Sequence, residues 1–421
     1  MNWQPHKLGE FISIKHGWAF KGEYFSDSGK YILLTPGNAH ETGGLKLRPG
    51  KEKYYLGEFP PDYLMKTGDM LVVMTDLIQA APILGGAIVV PEDDRFLHNQ
   101  RLGLVELLPH AEIDKGFLYY LLNSPGYRSQ VRGSATGATV RHTAPKRICD
   151  CNVLVPDTVE EQQQVAFVLS AYDDLIATNQ RRIALLEDAA RRLYREWFVH
   201  LRFPGHESVP VKDGVPEGWL SLTLGDVCDA VGGGTPSTAR PEYWGGDVTW
   251  VTPTDVTRND CLVMLDSEKK ITEAGLANSS AKLVPPETIL MTSRASIGFF
   301  ALMDKPACTN QGFISVLPKQ DSARMFLLFN LLDRVEEMIG LATGATFKEL
   351  SKKTFRALPV LWPTDALLKF YEDKTYPLIQ QVRLIKKQNQ ELTKARDLLL
   401  PKLMSGQLDV SGIALPDEVA A

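Results

Sequence analysis

The chain has 421 residues, 44% hydrophobic and 23% charged, the balance of an ordinary globular protein of two or three domains. That composition excludes a disordered, collagen-like or disulfide-scaffold chain. With 46 Lys and Arg against 51 Asp and Glu, any nucleic-acid surface has to be a local patch rather than a property of the whole.

The first residues, MNWQPHKLGE, lack the apolar core of a signal peptide. The longest apolar runs, such as Met325 to Leu332, fall far short of the roughly 20 residues a bilayer requires. Five scattered cysteines suit a reducing compartment. A cytoplasmic protein with no membrane partner is expected. Cys149 and Cys151 have no second pair at zinc-binding spacing and read as two buried thiols on one strand face.

The chain repeats itself. Trp3-x4-Leu8-Gly9-Glu10 recurs as Trp219-x4-Leu224-Gly225-Asp226, Thr35-Pro36 as Thr252-Pro253, and Met74-Thr75 as Met291-Thr292. Asn99-Gln100 recurs as Asn310-Gln311, and Ala135-Thr136-Gly137-Ala138-Thr139 as Ala342-Thr343-Gly344-Ala345-Thr346. The matches keep their order at nearly constant offset, so the unit is about 200 residues, too long for a solenoid.

Each copy opens with short apolar runs bounded by Gly, Pro, Asp or Asn, which predict strands at Met70 to Met74, Ala87 to Val90 and Gly103 to Leu108. Helices are predicted at Gly116 to Asn123 and at Ala323 to Ile339. Pro156 and Pro363 each precede a long amphipathic helix. Its apolar stripe runs through Val165, Tyr172, Asn179, Ile183, Ala190 and Trp197 in the first copy, and through Tyr371, Leu378, Val382, Ile385, Asn389 and Leu403 in the second. Steps of three and four with an Asn in each seam predict that the two helices pair. Pro377 should kink the second or mark a junction. Residues 203–218, rich in Pro and Gly, read as a linker. The expected architecture is α+β: two similar heads joined by an antiparallel coiled coil with a pseudo-twofold axis.

Catalytic motifs are missing. There is no phosphate-binding G-x-x-x-x-G-K-[ST], no G-x-G-x-x-G, no H-E-x-x-H and no G-x-S-x-G, and the eight histidines form no helical pair. A loose D…E-x-K pattern at Asp255, Glu268 and Lys270 would support a rival reading as a stand-alone nuclease. A protein-only scaffold is the other alternative, which the unlike loops of the two heads argue against.

Several of these motifs, with Leu186-Glu-x-Ala-Ala-Arg-Arg-Leu-Tyr-x-x-Trp-Phe198, Val215-Pro-Glu-Gly-Trp219 and Arg396-Asp-Leu-Leu-Leu-Pro-Lys-Leu-Met-Ser-Gly406, make the chain similar to the specificity subunits of type I restriction–modification systems. The resemblance spans roughly Trp3 to Val410. One departure is Thr364-Asp365-Ala366-Leu367, where the first copy has an acidic-Gln segment. The resemblance implies target recognition domains at 1–157 and 219–363, long helices at 158–202 and 364–410, a linker at 203–218 and a flexible tail at 411–421. It also implies no catalysis by the chain itself. The partners would be double-stranded DNA with a bipartite target, two methylation subunits carrying S-adenosylmethionine, and motor–nuclease subunits using ATP and Mg²⁺. The seam from Val165 to Trp197 measures about 48 Å, or about 14 base pairs, so a gap of about six to eight base pairs between two different half-sites is expected.

Candidate DNA contacts are the Lys, Arg, His and small polar residues of projecting loops. In the first head they are Lys15, His16, Trp18, Lys21, Arg141, His142 and Lys146; in the second, Thr235, Ser237, Arg240, Arg258, Asn259, Arg294, Lys348, Lys352 and Lys353. Asn99-Gln100 and Asn310-Gln311 read either as adenine contacts or as buried amides holding a loop. The pairs Arg181-Arg182, Arg191-Arg192 and Lys386-Lys387 on the long helices read as facing solvent or a partner subunit.

Overall fold

The structure is a computed structural model and describes residues 1–48, 50–344 and 346–416. It divides into two units, one formed by Met1–Leu175 with the chain from Leu392 onward, the other by Ile176–Glu391. Each unit therefore contains a piece of both long helices.

The repeated motifs have matching local roles. In the first unit, strand Trp3–Lys7 pairs antiparallel with Asn152–Pro156, placing Trp3 opposite Pro156. In the second, Leu220–Thr223 pairs in the same sense with Pro359–Trp362. Entry and exit strands thus lie side by side. The Leu-Gly-acidic turn follows: Leu8 and Leu224 are fully buried, while Glu10 and Asp226 accept the backbone N–H of Lys7 and Thr223, each at 2.8 Å. Thr35-Pro36 and Thr252-Pro253 open short helices in which Asn38 and Asp255 cap the threonine N–H, with proline where no N–H is needed.

The main sheet has the same antiparallel order in both units. In the first it runs Ile12–His16, Leu102–Leu107, Met70–Val73, Ala87–Val89. In the second it runs Cys228–Gly232, Phe313–Pro318, Ile289–Thr292, Phe300–Met303, with Val263–Met264 added in parallel. A smaller sheet accompanies each. Burial of Leu8, Phe117, Val165 and Leu169 in one unit, and of Leu224, Phe326, Phe355 and Tyr371 in the other, ties each sheet to its helices.

The long helices run Val159–Tyr194, continuing as a π-helical turn at Arg195–Val199, and Asp365–Leu403. Within the second unit Asn179 Nδ2 donates to Asn389 Oδ1 at 2.8 Å, and Tyr371 Oη donates to Ala190 O at 3.0 Å. Within the first, Arg396 Nη1 donates to Asp173 Oδ1 at 2.5 Å, and Tyr120 Oη to Asp173 Oδ2 at 2.7 Å. The stripe residues Asn179, Tyr371 and Val382 are fully buried.

The structure corrects some local expectations and adds detail to others. The second helix passes through Pro377 without a junction. Pro377 and Asp373 are both exposed, so the carbonyl that loses its partner faces water. Cys149 and Cys151 do not share a strand face. Pro145 starts a short helix that ends at Cys149, Cys151 lies in the turn beyond it, and the strand begins only at Asn152. The helix expected at Ala323 to Ile339 is two, Arg324–Asp333 and Val335–Gly340. The linker contains a hairpin, Val211–Lys212 with Val215–Pro216, turned by Asp213 and Gly214 at positive φ, and its Phe203 is buried against Trp219. In the tail expected to be flexible, Gln164 donates to the carbonyls of Ser411 and Ile413, each at 3.1 Å; residues 417–421 lie outside those described.

Candidate nucleic-acid interface

At one end of each main sheet, four chain segments that are distant in sequence are laced together by backbone hydrogen bonds. In the first unit Trp18 N donates to His98 O, Met74 N to Arg101 O and Thr143 N to Met74 O, while Thr136 and His142 exchange bonds. In the second, Gly234 N donates to Thr309 O, Ser293 N to Gly312 O and Leu350 N to Ser293 O, while Thr343 and Glu349 exchange bonds. The ladder corrects one sequence match: Met74 corresponds to Ser293 and Thr75 to Arg294, so the Met-Thr pairs are two residues out of register.

Two repeated motifs build this edge. Asn99 Oδ1 accepts Arg101 N at 3.0 Å, and Asn310 Oδ1 accepts Gly312 N at 2.9 Å. Both asparagines are only half-buried and Gln100 and Gln311 are exposed, so the amides hold a loop without being buried. The chain passes so close that a Cβ at Gly17 would sit 2.1 Å from Asn99 O, and one at Gly233 2.2 Å from Asn310 O. In the Ala-Thr-Gly-Ala-Thr loops, Gly137 and Gly344 have φ of +98° and +129°. Ala345 of that motif lies outside the described residues.

Around the first edge, Trp18 is exposed and packs on Tyr63 at 5.6 Å, with Lys15 Nζ 5.3 Å from the same ring. His16 and Lys21 are exposed nearby in sequence. His98 is buried beneath, hydrogen-bonded through Nε2 to Leu102 O at 2.9 Å; burial pushes its pKa down to about 4, so it is neutral near pH 7. Arg141 differs from expectation, because its guanidinium donates to Arg132 O at 3.0 Å and Ala135 O at 3.3 Å and staples the loop. His142 remains exposed, 3.1 Å from Thr75 Oγ1, and Lys146 is exposed on the first turn of its short helix.

In the second unit, Arg294, Asn310, Gln311 and Phe347, with Pro253, line an open groove of 320 Å³. Arg294 is held loosely, its Nε 3.8 Å from Glu349 Oε2. Thr235 Oγ1 donates to Gln311 Oε1 at 2.6 Å. Lys348 is exposed, and Lys352 Nζ would lie 2.7 Å from a Cβ at Gly232, which places it at the same sheet end. Ser237, Arg240 and Lys353 are exposed; Ser237 accepts Trp244 Nε1 on its carbonyl, and Arg240 pairs with Glu242 at 3.3 Å.

One candidate, Asn259, is engaged within its own unit, and another, Arg258, keeps an exposed ion pair. Asn259 donates to the carbonyls of Cys261 and Val263 and accepts Lys386 Nζ. Arg258 pairs with Glu268 at 3.4 Å. Lys386 and Lys387 reach Asp260 and Asp304, each at 2.8 Å; Lys386 is largely covered by its own unit, while Lys387 stays exposed to solvent. The nuclease-like pattern also disperses. Asp255 accepts Thr252 N on one oxygen and Glu268 N on the other, while Lys270 reaches Asp266 and Thr249. Among the described residues no group of three or more His, Cys, Asp or Glu is placed to hold a metal ion, and no helix is long and apolar enough to cross a membrane. Sequence reasoning missed Tyr63, Arg101 and Phe347. Arg101 had a signal, its place directly after Asn99-Gln100.

Two duplicated α+β units, each presenting a polar and aromatic loop edge, define a class of tandem recognition proteins. The family model for the type I restriction modification DNA specificity domain matches twice, at residues 1–188 and 216–394, and the chain belongs to that family. It is 22% identical to the Haemophilus influenzae type I restriction enzyme HindI specificity subunit over 97% of this chain and 100% of that one. The Methanocaldococcus jannaschii MjaIX specificity subunit is 34% identical, but over only 43% of this chain and 42% of that protein. The crystal structure of the type I restriction–modification S subunit from M. genitalium shares the fold, with a TM-score of 0.56 at 18% identity and 96% coverage of both chains.

Proposed function

We propose that this chain is the sequence-reading subunit of a type I restriction–modification complex and catalyses no reaction itself. Each unit's edge reads one half of an asymmetric, bipartite target in double-stranded DNA. The long helices pair as an antiparallel coiled coil that sets the gap and docks two methylation subunits. S-adenosylmethionine belongs to those subunits, and ATP and Mg²⁺ to motor–nuclease subunits. The observation that carries this reading is the laced edge, which has one backbone plan in both units and different side chains on it. A shared frame fixes how DNA is approached, and divergent side chains make the two half-sites unlike.

Lys15, His16, Trp18 and His142 in one unit, and Thr235, Arg294, Lys348 and Lys352 in the other, are the proposed base and phosphate contacts. Lys21, Lys146, Ser237, Arg240 and Lys353 are proposed to reach the flanking phosphates. An acidic chain with patches this small relies on the methylation subunits for much of its phosphate contact, so removing them weakens DNA binding at fixed salt. The test is to co-express the chain with its methylation subunit and map N6-methyladenine across the host genome. A bipartite asymmetric motif with a fixed gap supports the reading. No motif from an assembled complex supplied with S-adenosylmethionine overturns it.

A further inference from the structure

The two edges differ most in one loop. Gly85 N donates to Val73 O, and Gly298 N donates to Thr292 O, so these bonds close equivalent loops. The first loop spans residues 74–84 and the second 293–297, a difference of six residues. The extra length projects Leu77 and Ile78 into solvent, 61% and 57% exposed. Two adjacent aliphatic side chains gain nothing there from the fold of the unit itself.

The loop is nonetheless firmly built. Asp76 is buried and its two oxygens accept Ile78 N at 3.0 Å and Ile83 N at 2.9 Å. Arg128, also buried, donates from Nε to Leu84 O at 2.9 Å and from Nη2 to Pro82 O. A buried carboxylate and a buried guanidinium thus fix the backbone beneath two exposed apolar groups. Such fixing lowers the ordering cost of contact with a partner. Its neighbours on the edge are polar: the Arg101 guanidinium and the His142 imidazole are exposed, and both belong to segments bonded to Met74 and Thr75.

We propose that Leu77 and Ile78 read thymine, by packing on its 5-methyl group in the major groove, while Arg101 and His142 donate to the phosphates. Thymine alone among the four bases presents a methyl group there, and phosphate complements the flanking charge. The assignment rests on the DNA-reading function proposed above. It makes the half-site of the first unit depend on A·T pairs at one or two positions.

The test uses the full chain assembled with its methylation subunits. Both side chains are exposed, so the double variant Leu77→Ser/Ile78→Ser keeps the core intact. In methylation mapping it should relax the thymine requirement at one or two positions of one half-site and leave the gap and the other half-site unchanged. Deoxyuridine in place of those thymines should weaken binding of the unaltered complex by about fourfold per methyl and leave binding by the double variant unchanged. An unaltered motif, or equal sensitivity of both proteins to deoxyuridine, overturns the loop's assignment. Lost association with the methylation subunit at an unaltered motif also overturns it, and marks the loop as a protein contact. Absence of any bipartite motif from the unaltered complex removes the DNA-reading function itself, a distinct failure.

Discussion

The two units share a sheet order and a laced edge but divide the work of that edge differently. The first carries a long buttressed loop with aliphatic tips and uses an arginine, Arg141, to staple its backbone. The second has a short loop, places Arg294 where the first has Thr75, and opens a groove floored by Asn310 and Gln311. The two copies keep the bonds that set backbone position and differ in the side chains that the edge exposes. A residue type alone therefore does not fix a role: Arg141 staples its own loop, whereas Arg294 is exposed and held only by a 3.8 Å contact with Glu349.

The largest effects should come from what the units hold in common. Leu8→Ala and Leu224→Ala each remove a fully buried side chain and should cost about 2–5 kcal/mol in their own unit, read by denaturant unfolding with unit-resolved hydrogen exchange. Unequal losses would show that the shared frame is not equally important in both. Gly17→Ala and Gly233→Ala press a methyl group onto a backbone carbonyl and should cost about 1–3 kcal/mol each. A neutral result at either would break the equivalence of the two edges.

Arg294→Ala should relax one position of one half-site, favouring loss of a guanine requirement worth about 1–3 kcal/mol in discrimination, with folding unaffected. Methylation mapping reads this directly, and an effect on both half-sites would contradict the division between units.

The smallest contrast concerns pH. Burial depresses His98 to about 4, below its ordinary 6.5, so the unfolded chain binds the extra proton and the first unit loses stability as pH falls from about 6.5 towards 4. Glu187 in the second unit goes the other way. Burial raises it to about 7 despite the hydrogen bond from Leu262 N, so its contribution is fully present below about 4.5 and is lost as pH rises through about 7. Each slope is at most about 1.4 kcal/mol per pH unit. His98→Gln and Glu187→Gln should flatten the slope only in the unit that carries them, as measured by hydrogen exchange across that range.

Much of this organisation was legible in the sequence because it rests on short-range rules. The Leu-Gly-acidic turn is a cap, the Ala-Thr-Gly-Ala-Thr loop needs positive φ at its glycine, and the seam asparagines Asn179 and Asn389 follow helical spacing and do meet. The site was less legible. Matching Met74-Thr75 to Met291-Thr292 fitted the letters but not the ladder, because loops of unequal length follow the strand and only hydrogen bonds fix register. The same limit hid Leu77 and Ile78, whose type suggests a core that the fold does not give them. Asn259 and Lys386 looked like surface donors because the contact that joins them spans more than a hundred residues.

The pairing of Trp3 with Pro156, and of Leu220 with Trp362, has a consequence for inheritance. In each unit the strand that enters lies against the strand that leaves for the helix, and the entering chain carries the repeated Trp-x4-Leu-Gly-acidic motif. A segment exchanged between these two strands would bring both of its ends to one place in the frame, with no change to the helix that follows. On the DNA-reading function proposed above, such an exchange would replace one half-site in a single step and leave the other as it was.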